Sequence, residues 1–457
     1  MTAPRAPHRP AARRDVCLRT VAPFGLTLGG EPLRPPVDRR AIGRLASARS
    51  GAVVLITGPS GSGKSRLLAG LADRLGPVSV APPVRLGSRS PAEWLARSGA
   101  SDPWPLLAAC GLAEARLAVR PADRLSEGER ARLGIAVALA RAVRVSKKHG
   151  SAFVLLDEFC SVLDRVTAAG VAATVRRWAR RFGDERRVRI VAATGHEDMP
   201  RLLGPDTIVR TGARGAAQIE PGPKRWRPAL TIAVERGAIT DFDALESLHY
   251  RAGRPATWSR VLRAVGAGGE LAGVLVLSYP VLNAAWRESA WPGRYRTGLK
   301  RADARRVNRE LRCISRVVVE PRYRGLGVAR KLVEAAMASS ETPALEAVAA
   351  MGPISPFFER AGMVAVPIER RAADWRLLDA LDAAGIVQDG AHWRLADGTV
   401  QDAMVGDVFV RAELKRWGRN VGASVRDRVR TGDAIGLARA AAERLMAEPV
   451  GYAWARG

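Results

Sequence analysis

Gly58-Pro59-Ser60-Gly61-Ser62-Gly63-Lys64-Ser65 combines three glycines, three serines and a lysine at the spacing GxxxxGKS. Glycines at its two fixed positions let the backbone wrap so that successive amide N–H groups converge on one point, a concave donor array suited to a phosphate chain. Lys64 would reach the terminal phosphate oxygens of ATP, and the Ser65 hydroxyl would ligate the accompanying Mg²⁺. A second cradle, Arg322-Tyr-Arg324-Gly325-Leu-Gly327, follows Val317-Val318-Val319. Each cradle follows a strand-like apolar run and opens a helix-like one, which aims helix N-terminal amides at a polyphosphate. Two such cradles predict ATP at one site, a second phosphate-bearing cofactor at the other, and coupling between them.

Carboxylates follow the first cradle. Phe153-Val-Leu-Leu-Asp157-Glu158 reads as a buried strand ending in two acids. Asp157 would hold Mg²⁺, and Glu158 would polarise the attacking water. Leu125-Ser126-Glu127-Gly128-Glu129 opens a long helical run, 130–143, with an S-x-x-E capping box. Ser161-Val-Leu-Asp164 follows the acidic strand, and His196 follows the strand 190–193.

With these companions, residues 21–222 resemble an ABC-type ATPase domain, with a helical subdomain at about 82–145. The resemblance implies that Ser126 and Gly128 contact the γ-phosphate held by an opposing subunit. It also makes Asp164 a D-loop residue, His196 the switch histidine, and an ATP-induced head-to-tail homodimer the working form. Two departures stand out. Glu127 and Glu129 occupy positions usually held by Gly and Gln, and Val78–Pro83 offers prolines where a Q-loop glutamine belongs. The missing glutamine argues against transporter-type coupling and for a soluble ATPase.

Around the second cradle, strand-like runs at 230–235, 271–279, 314–319 and 344–350 surround an amphipathic helix whose apolar stripe is Leu326, Ala329, Leu332, Val333 and Ala336. With Pro356-Phe-Phe-Glu-Arg-Ala-Gly-Met363, this series resembles the GNAT N-acyltransferase superfamily over residues 230–370. The resemblance implies acetyl-CoA, or another acyl-CoA, along the strand bearing Val317 and Val319. Its pyrophosphate would lie at Arg322, Arg324, Gly325, Gly327, Val328 and Ala329. Phe358 stands where many relatives carry a tyrosine acid, so the proton-transfer groups stay open among Glu310, Cys313, Ser315, Glu346 and Ser355. Ser355 before Pro356 also reads as a helix N-cap, and His249-Tyr250 as a substrate contact. The whole order resembles soluble ABC ATPase–acetyltransferase fusions. A looser resemblance, on Ser355-Pro-Phe-Phe358, is to Mom-type acyltransferases that modify adenine in DNA.

The elements that must position these groups are those of an α/β protein of 457 residues, enough for two to three domains. Expected along the chain are a disordered basic arm (1–20), the ATPase domain (21–222), a linker (223–229), the GNAT-like domain (230–370) and a basic C-terminal extension (371–457). The formal net charge is +28, with Arg supplying nearly all of it, which points to a polyanionic partner. Residues 287–331 hold 14 Arg/Lys against four Asp/Glu, and Trp286, Trp291 and Tyr295 begin that stretch. Cations for phosphates and aromatics for stacking make it a candidate nucleic-acid surface, the alternative being a solvated Arg-rich insertion with its Trp in the core. Cys17, Cys110, Cys160 and Cys313 form no CxxC pair and fit a reducing compartment. No secretory signal or bilayer-length apolar run is evident, so a cytoplasmic location is expected. The resulting expectation is ATP-dependent acyl transfer to an amine on a nucleic-acid base. The alternatives are a regulated protein N-acetyltransferase and a DNA-repair or loading ATPase with a degenerate second domain.

Overall fold

The computed structural model describes residues 37–457 apart from 213–216, 224–230, 250–252, 353 and 457, together with 15, 18–20 and 22–24. Most of the basic arm, most of the linker and Tyr250 lie outside the described residues.

The first half is a six-stranded sheet of order β2-β3-β4-β1-β5-β6. Its strands are β1 (Val53–Thr57), β2 (Ser79–Val80), β3 (Ala152–Leu156), β4 (Val188–Thr194), β5 (Thr207–Thr211) and β6 (Ala217–Pro221). All pairs are parallel except β5/β6. β1 and β3 are buried at every position, as the unbroken apolar runs require when helices cover both sheet faces. The helices of this half are α1 (Arg39–Ala46), α2 (Lys64–Leu75), α3 (Pro91–Arg97), α4 (Trp104–Ala109), α5 (Ala115–Val119), α6 (Glu127–His149), α7 (Arg165–Trp178) and α8 (Met199–Leu203). Helices α3 to α6 follow one another between β2 and β3, in the stretch expected to be a helical subdomain. The register Thr57↔Thr194 and Leu156↔Ala192 brings the C-terminal ends of β1, β3 and β4 to one edge.

The second half is a seven-stranded mixed sheet. It comprises β7 (Ala233–Gly237), β8 (Arg260–Val265), β9 (Leu271–Ser278), β10 (Leu311–Val319), β11 (Ala344–Ala349), β12 (Val364–Pro367) and β13 (Val450–Ala455). Its order is β12-β13-β11-β10-β9-β8-β7, and only β10/β11 is a parallel pair. Helices α9 (Ile239–Leu245), α10 (Arg287–Ala290), α11 (Lys300–Glu310), α12 (Val328–Ala338) and α13 (Phe357–Ala361) accompany it.

Residues 371–457 are not an appendage to this sheet. Strand β13 inserts between β11 and β12, so the second domain is completed by the last residues of the chain. Between β12 and β13, helices α14 (Ala372–Ala383), α15 (Gly398–Gly406), α16 (Val408–Arg419), α17 (Ala423–Thr431) and α18 (Ala434–Met446) pack on their own core, which includes Leu381, Leu414, Trp417 and Leu437. Buried Asp374 ties this module together, accepting from Trp417 Nε1 at 2.8 Å and from Arg444 at 2.9 Å. The two halves share one apolar cluster that runs from Val53 through Leu139 and Val171 to Leu275, Ile314 and Leu332.

Candidate nucleotide site and splayed-strand site

Gly58 has φ 153°, and a Cβ there would lie 2.3 Å from the Thr211 carbonyl and 2.5 Å from its hydroxyl. Only glycine fits that contact. Thr211, at the end of β5, bonds the Ser62 hydroxyl at 2.6 Å and donates to Thr57 O at 3.2 Å, bracing the loop from outside. Sequence reading missed Thr211, which carries no motif signal of its own. Gly63 caps α2 in the left-handed region (φ 93°) without a side-chain cap, so the first-turn amides are not claimed by a capping side chain. Buried Lys64 donates to Gly58 O and Pro59 O, both at 2.9 Å, and Ser65 is exposed beside it.

Asp157 and Glu158 emerge exposed at the end of β3. Glu158 (φ 48°) and Cys160 (φ 61°) both sit in the left-handed region, a conformation that costs non-glycine residues about 1–3 kcal/mol each. Phe159 N–H donates to Ala193 O at 2.8 Å and the Ser161 hydroxyl to Glu158 O at 2.7 Å, and these bonds hold the turn against its strain. Burial pushes the Cys160 thiol well above its ordinary range and that of Cys110 up to about 12, so neither is a nucleophile. His196 is half-buried after β4, its N–H on the Thr194 hydroxyl at 3.3 Å. The donor set fits a nucleoside triphosphate with Mg²⁺: amides, one lysine, one hydroxyl and one near carboxylate. Among the described residues, no group of three or more His, Cys, Asp or Glu could hold a metal ion by itself.

Ser126, Gly128 and Asp164 form a second grouping. The Ser126 hydroxyl accepts from Glu129 N at 3.2 Å, and Glu129 accepts in return from Ser126 N at 2.8 Å. Glu129 thus completes the capping box, and Ser126, exposed, keeps its hydroxyl proton for another acceptor. A Cβ on Gly128 would lie 3.1 Å from Leu163 Cδ2, so the turn before Asp164 backs this loop. Asp164 caps α7, accepting from Val166 N, Thr167 N and the Thr167 hydroxyl. Burial opposes its charge, but the Thr167 and Val166 hydrogen bonds and nearby Arg322 hold the carboxyl below its usual range. Arg165 forms a two-pronged ion pair with Asp198, tying the start of α7 to the His196 loop. In the stretch where a Q-loop glutamine would belong, Pro82 packs over Gly134.

In the second sheet, β10 is nine residues long but pairs with β11 only from Leu311↔Ala344 to Ile314↔Ala347. A register shift between Ile314 and Arg316 then bends β10 away while it stays on β9 as far as Val319. The result is a wedge between two parallel strands, with Val317 and Val319 on β10 partly buried. Exposed Gly327 (φ 84°) caps α12 without a side-chain cap, followed by Val328 and Ala329. Arg322 is exposed and pairs with Glu320 at 2.9 Å. Arg324 is differently engaged: it pairs with Glu114 of the helical subdomain at 2.6 Å, while Arg177 donates to Gly325 O. Two of the expected phosphate-loop residues are thus partly committed to the other half of the chain.

The acid–base candidates are largely absorbed by structure. Glu346, 3% exposed, is clasped by Arg287 at 2.6 and 2.7 Å, and that arginine also donates to Val281 O and Leu282 O. Glu346 is thus held in a buried ion pair, with both of its oxygens engaged by Arg287. Glu310 pairs with Arg294 and Arg309, both at 3.0 Å. Burial opposes its charge, but these arginines hold the carboxyl below its usual range, a poor setting for a base. Cys313 is half-buried, in no disulfide, and in register with Ser278 and Glu346. The Ser315 and Ser278 hydroxyls bond at 2.6 Å. Ser355 is not the helix cap expected, because Pro356 takes that position. Beside Phe358, Tyr452 of β13 stacks at 4.8 Å between ring centroids and bonds Glu359 at 3.3 Å. Burial first, with Glu359 adding, pushes its hydroxyl up to about 12. Trp286 and Tyr295 are buried in core clusters, which corrects the reading of them as stacking aromatics.

No protein-family model and no curated protein sequence matches the chain. Among solved structures, the chain is similar to a dimeric bacterial ABC transporter cassette, with 20% identity over 38% of this chain and 86% of that one, at a TM-score of 0.29. It is also similar to cbiO1 of Clostridium perfringens, part of an ABC transporter complex, with 19% identity over 38% of this chain and 78% of that one, TM-score 0.30. A third likeness is to the archaeal ribosome recycling factor aABCE1 in complex with a ribosomal stalk protein, with 23% identity over 38% and 39%, TM-score 0.29. The chain itself is an α/β protein with one mostly parallel sheet and a second, mixed sheet. Among the described residues, no helix is long and apolar enough to cross a membrane.

Proposed function

We propose that this chain is an ABC-type ATPase whose nucleotide state controls a second, acyl-CoA-dependent site acting on a nucleic-acid amine. One observation carries the ATPase reading. Lys64, Ser65, Asp157, Glu158 and His196 leave the ends of β1, β3 and β4 at one sheet edge, while exposed Ser126 and half-buried Gly128 form a separate grouping beside the Asp164 turn. Two half-sites of this kind are completed when a second copy docks head to tail. Lys64 and the loop amides hold the phosphate chain, Ser65 and Asp157 hold the metal, and Glu158 orients and accepts a proton from the attacking water. Mg²⁺, when bound, neutralises charge on the terminal phosphates.

The acyl-transfer part of the proposal is supported by the wedge between β10 and β11 and by the uncapped N-terminus of α12 at its mouth. A pantetheine arm in the wedge would meet the backbone of Val317 and Val319, with its pyrophosphate on the amides of Gly327, Val328 and Ala329. Control by ATP is supported by the loop 320–327, which is bonded both to the helical subdomain through Arg324–Glu114 and to α7 through Arg177. A rotation of that subdomain against α7 would move the loop. A second reading, a nucleic-acid-loading ATPase with a non-catalytic second domain, is favoured by one observation: arginines engage both candidate carboxylates, Glu310 and Glu346.

The deciding experiment incubates the protein with acetyl-CoA and nucleic acid, with and without ATP, and reads acylated nucleosides and peptides by mass spectrometry. Acylated nucleosides that rise with ATP support the proposal. Equal yields would remove the coupling, acyl-peptides would move the acceptor to protein, and no acetyl-CoA binding by calorimetry would leave the ATPase alone. In parallel, Glu158→Gln should slow ATP turnover by about 10²-fold or more and trap an ATP-dependent dimer in light scattering.

A further inference from the structure

Of the aromatics expected to form a stacking surface, Trp286 and Tyr295 are in the core and Trp291 is partly buried against them, but a different pair is exposed on the same sheet. Trp258 is 43% and Tyr279 47% exposed. Their placement follows from register. Ser259 N–H donates to Leu277 O, and Arg260 pairs with Leu277. Cys313 pairs with Ser278. Extending the β8/β9 ladder by two positions and the β9/β10 ladder by one sets Trp258, Tyr279 and Arg312 side by side at the ends of β8, β9 and β10. Directly opposed residues on neighbouring strands project from the same sheet face, and the Arg312 guanidinium lies 4.5 Å from the Tyr279 ring centroid. Helix α11 runs straight into β10, and Arg312 donates back to Asn308 O at 2.6 Å, fixing the helix end beside this row. Arg301 and Arg305, one helical turn apart on α11, are exposed, and no ion pair among the described residues meets either.

We infer that the row Trp258–Tyr279–Arg312, flanked by Arg301 and Arg305, is a platform for single-stranded nucleic acid. A duplex hides its base faces, and two exposed rings at neighbouring strand ends offer a stacking surface only to unpaired bases. The α11 arginines supply the phosphate contacts that a +28 chain is suited to make. The inference shares with the proposed function only its nucleic-acid partner. It puts that partner about 10 Å along β10 from Ser315, where the wedge opens, since three residues separate them at the rise of a strand.

The test is fluorescence anisotropy with labelled single strands of about 20 nucleotides, DNA and RNA, and the matching duplexes, in the absence of ATP and acyl-CoA. Trp258→Ala and Tyr279→Ala should each weaken single-strand binding about tenfold and leave duplex binding unchanged. Arg301→Ala with Arg305→Ala should lower the slope of log affinity against log salt by about 1.4. ATP affinity and the thermal melt verify that the variants are folded, since all four side chains are exposed. Unchanged single-strand affinity in the aromatic variants would overturn the inference, as would equal losses on duplex. Because no chemistry is read, failure of acyl transfer does not touch this result, and failure here leaves the acyl-transfer reading standing.

Discussion

At the scale of single residues, burial separates the groups available for chemistry from those spent on structure. Glu158 is exposed on a strained turn, whereas Glu346 is sealed against Arg287. One acid follows a strand and the other lies within one, and packing decides what each can do. Removing one partner of a buried ion pair strands the other charge, at a cost of about 3–5 kcal/mol. Glu346→Gln should therefore lower the thermal melt by several degrees and shift the chemical-denaturation midpoint. A normal melt combined with lost acyl transfer would restore Glu346 as a chemical group.

At the scale of elements, α7 is the hub. Its first turn carries Asp164 and Arg165 toward the nucleotide edge. Its middle carries Gly170 and Thr174 against the second domain's loop, and its end carries Arg176 into Asp206 at 2.5 and 2.9 Å. Asp206 also accepts from Val53 N at 2.9 Å and meets Arg49, which pins the start of β1 to α7. Burial works against the Asp206 charge, but the Arg176 and Val53 hydrogen bonds and the charges of Arg176 and Arg49 outweigh it and depress the carboxyl's pKa. A depressed folded pKa contributes stability that is whole above the unfolded value, about 3.9, and lost as pH falls through the folded value. Asp206→Asn should thus cost about 3 kcal/mol at neutral pH, and its deficit relative to the parent should shrink below about pH 4. Urea titrations at several pH values measure this, and a deficit independent of pH would refute the assignment.

At the scale of the whole molecule, the seam between the halves depends on a glycine. A Cβ on Gly170 would lie 2.6 Å from the Arg324 carbonyl, a backbone atom with no room to yield. Gly170→Ala should therefore loosen the loop 320–327 although alanine favours the helix by up to about 1 kcal/mol. Hydrogen exchange at those amides should quicken, and the ATP dependence of acyl transfer should fall severalfold while ATP hydrolysis persists. Exchange identical to the parent protein would show that the seam does not transmit. The seam also explains why Arg324, read from sequence as a phosphate ligand, is in part an interdomain tie.

Local chemistry was legible in the sequence because it depends on near neighbours. The Gly58–Ser65 loop, the strand ending at Asp157, the Ser126–Glu129 capping box and the strand–turn–helix at 317–329 are each set by backbone geometry within about a dozen residues. What the sequence could not show depends on distant partners. Strand β13 lies between β12 and β11, more than a hundred residues after β11, because pairing, not chain order, satisfies its backbone. Trp286 is core and Trp258 surface because the sheet's ends, not residue type, decide which rings meet solvent. The sequence by itself determined two glycine-bearing loops, 58–65 and 322–327, each between a strand and a helix. Tertiary structure alone decided that the second leans on the first domain, because Gly170 and Gly325 let two backbones approach where any side chain would hold them apart.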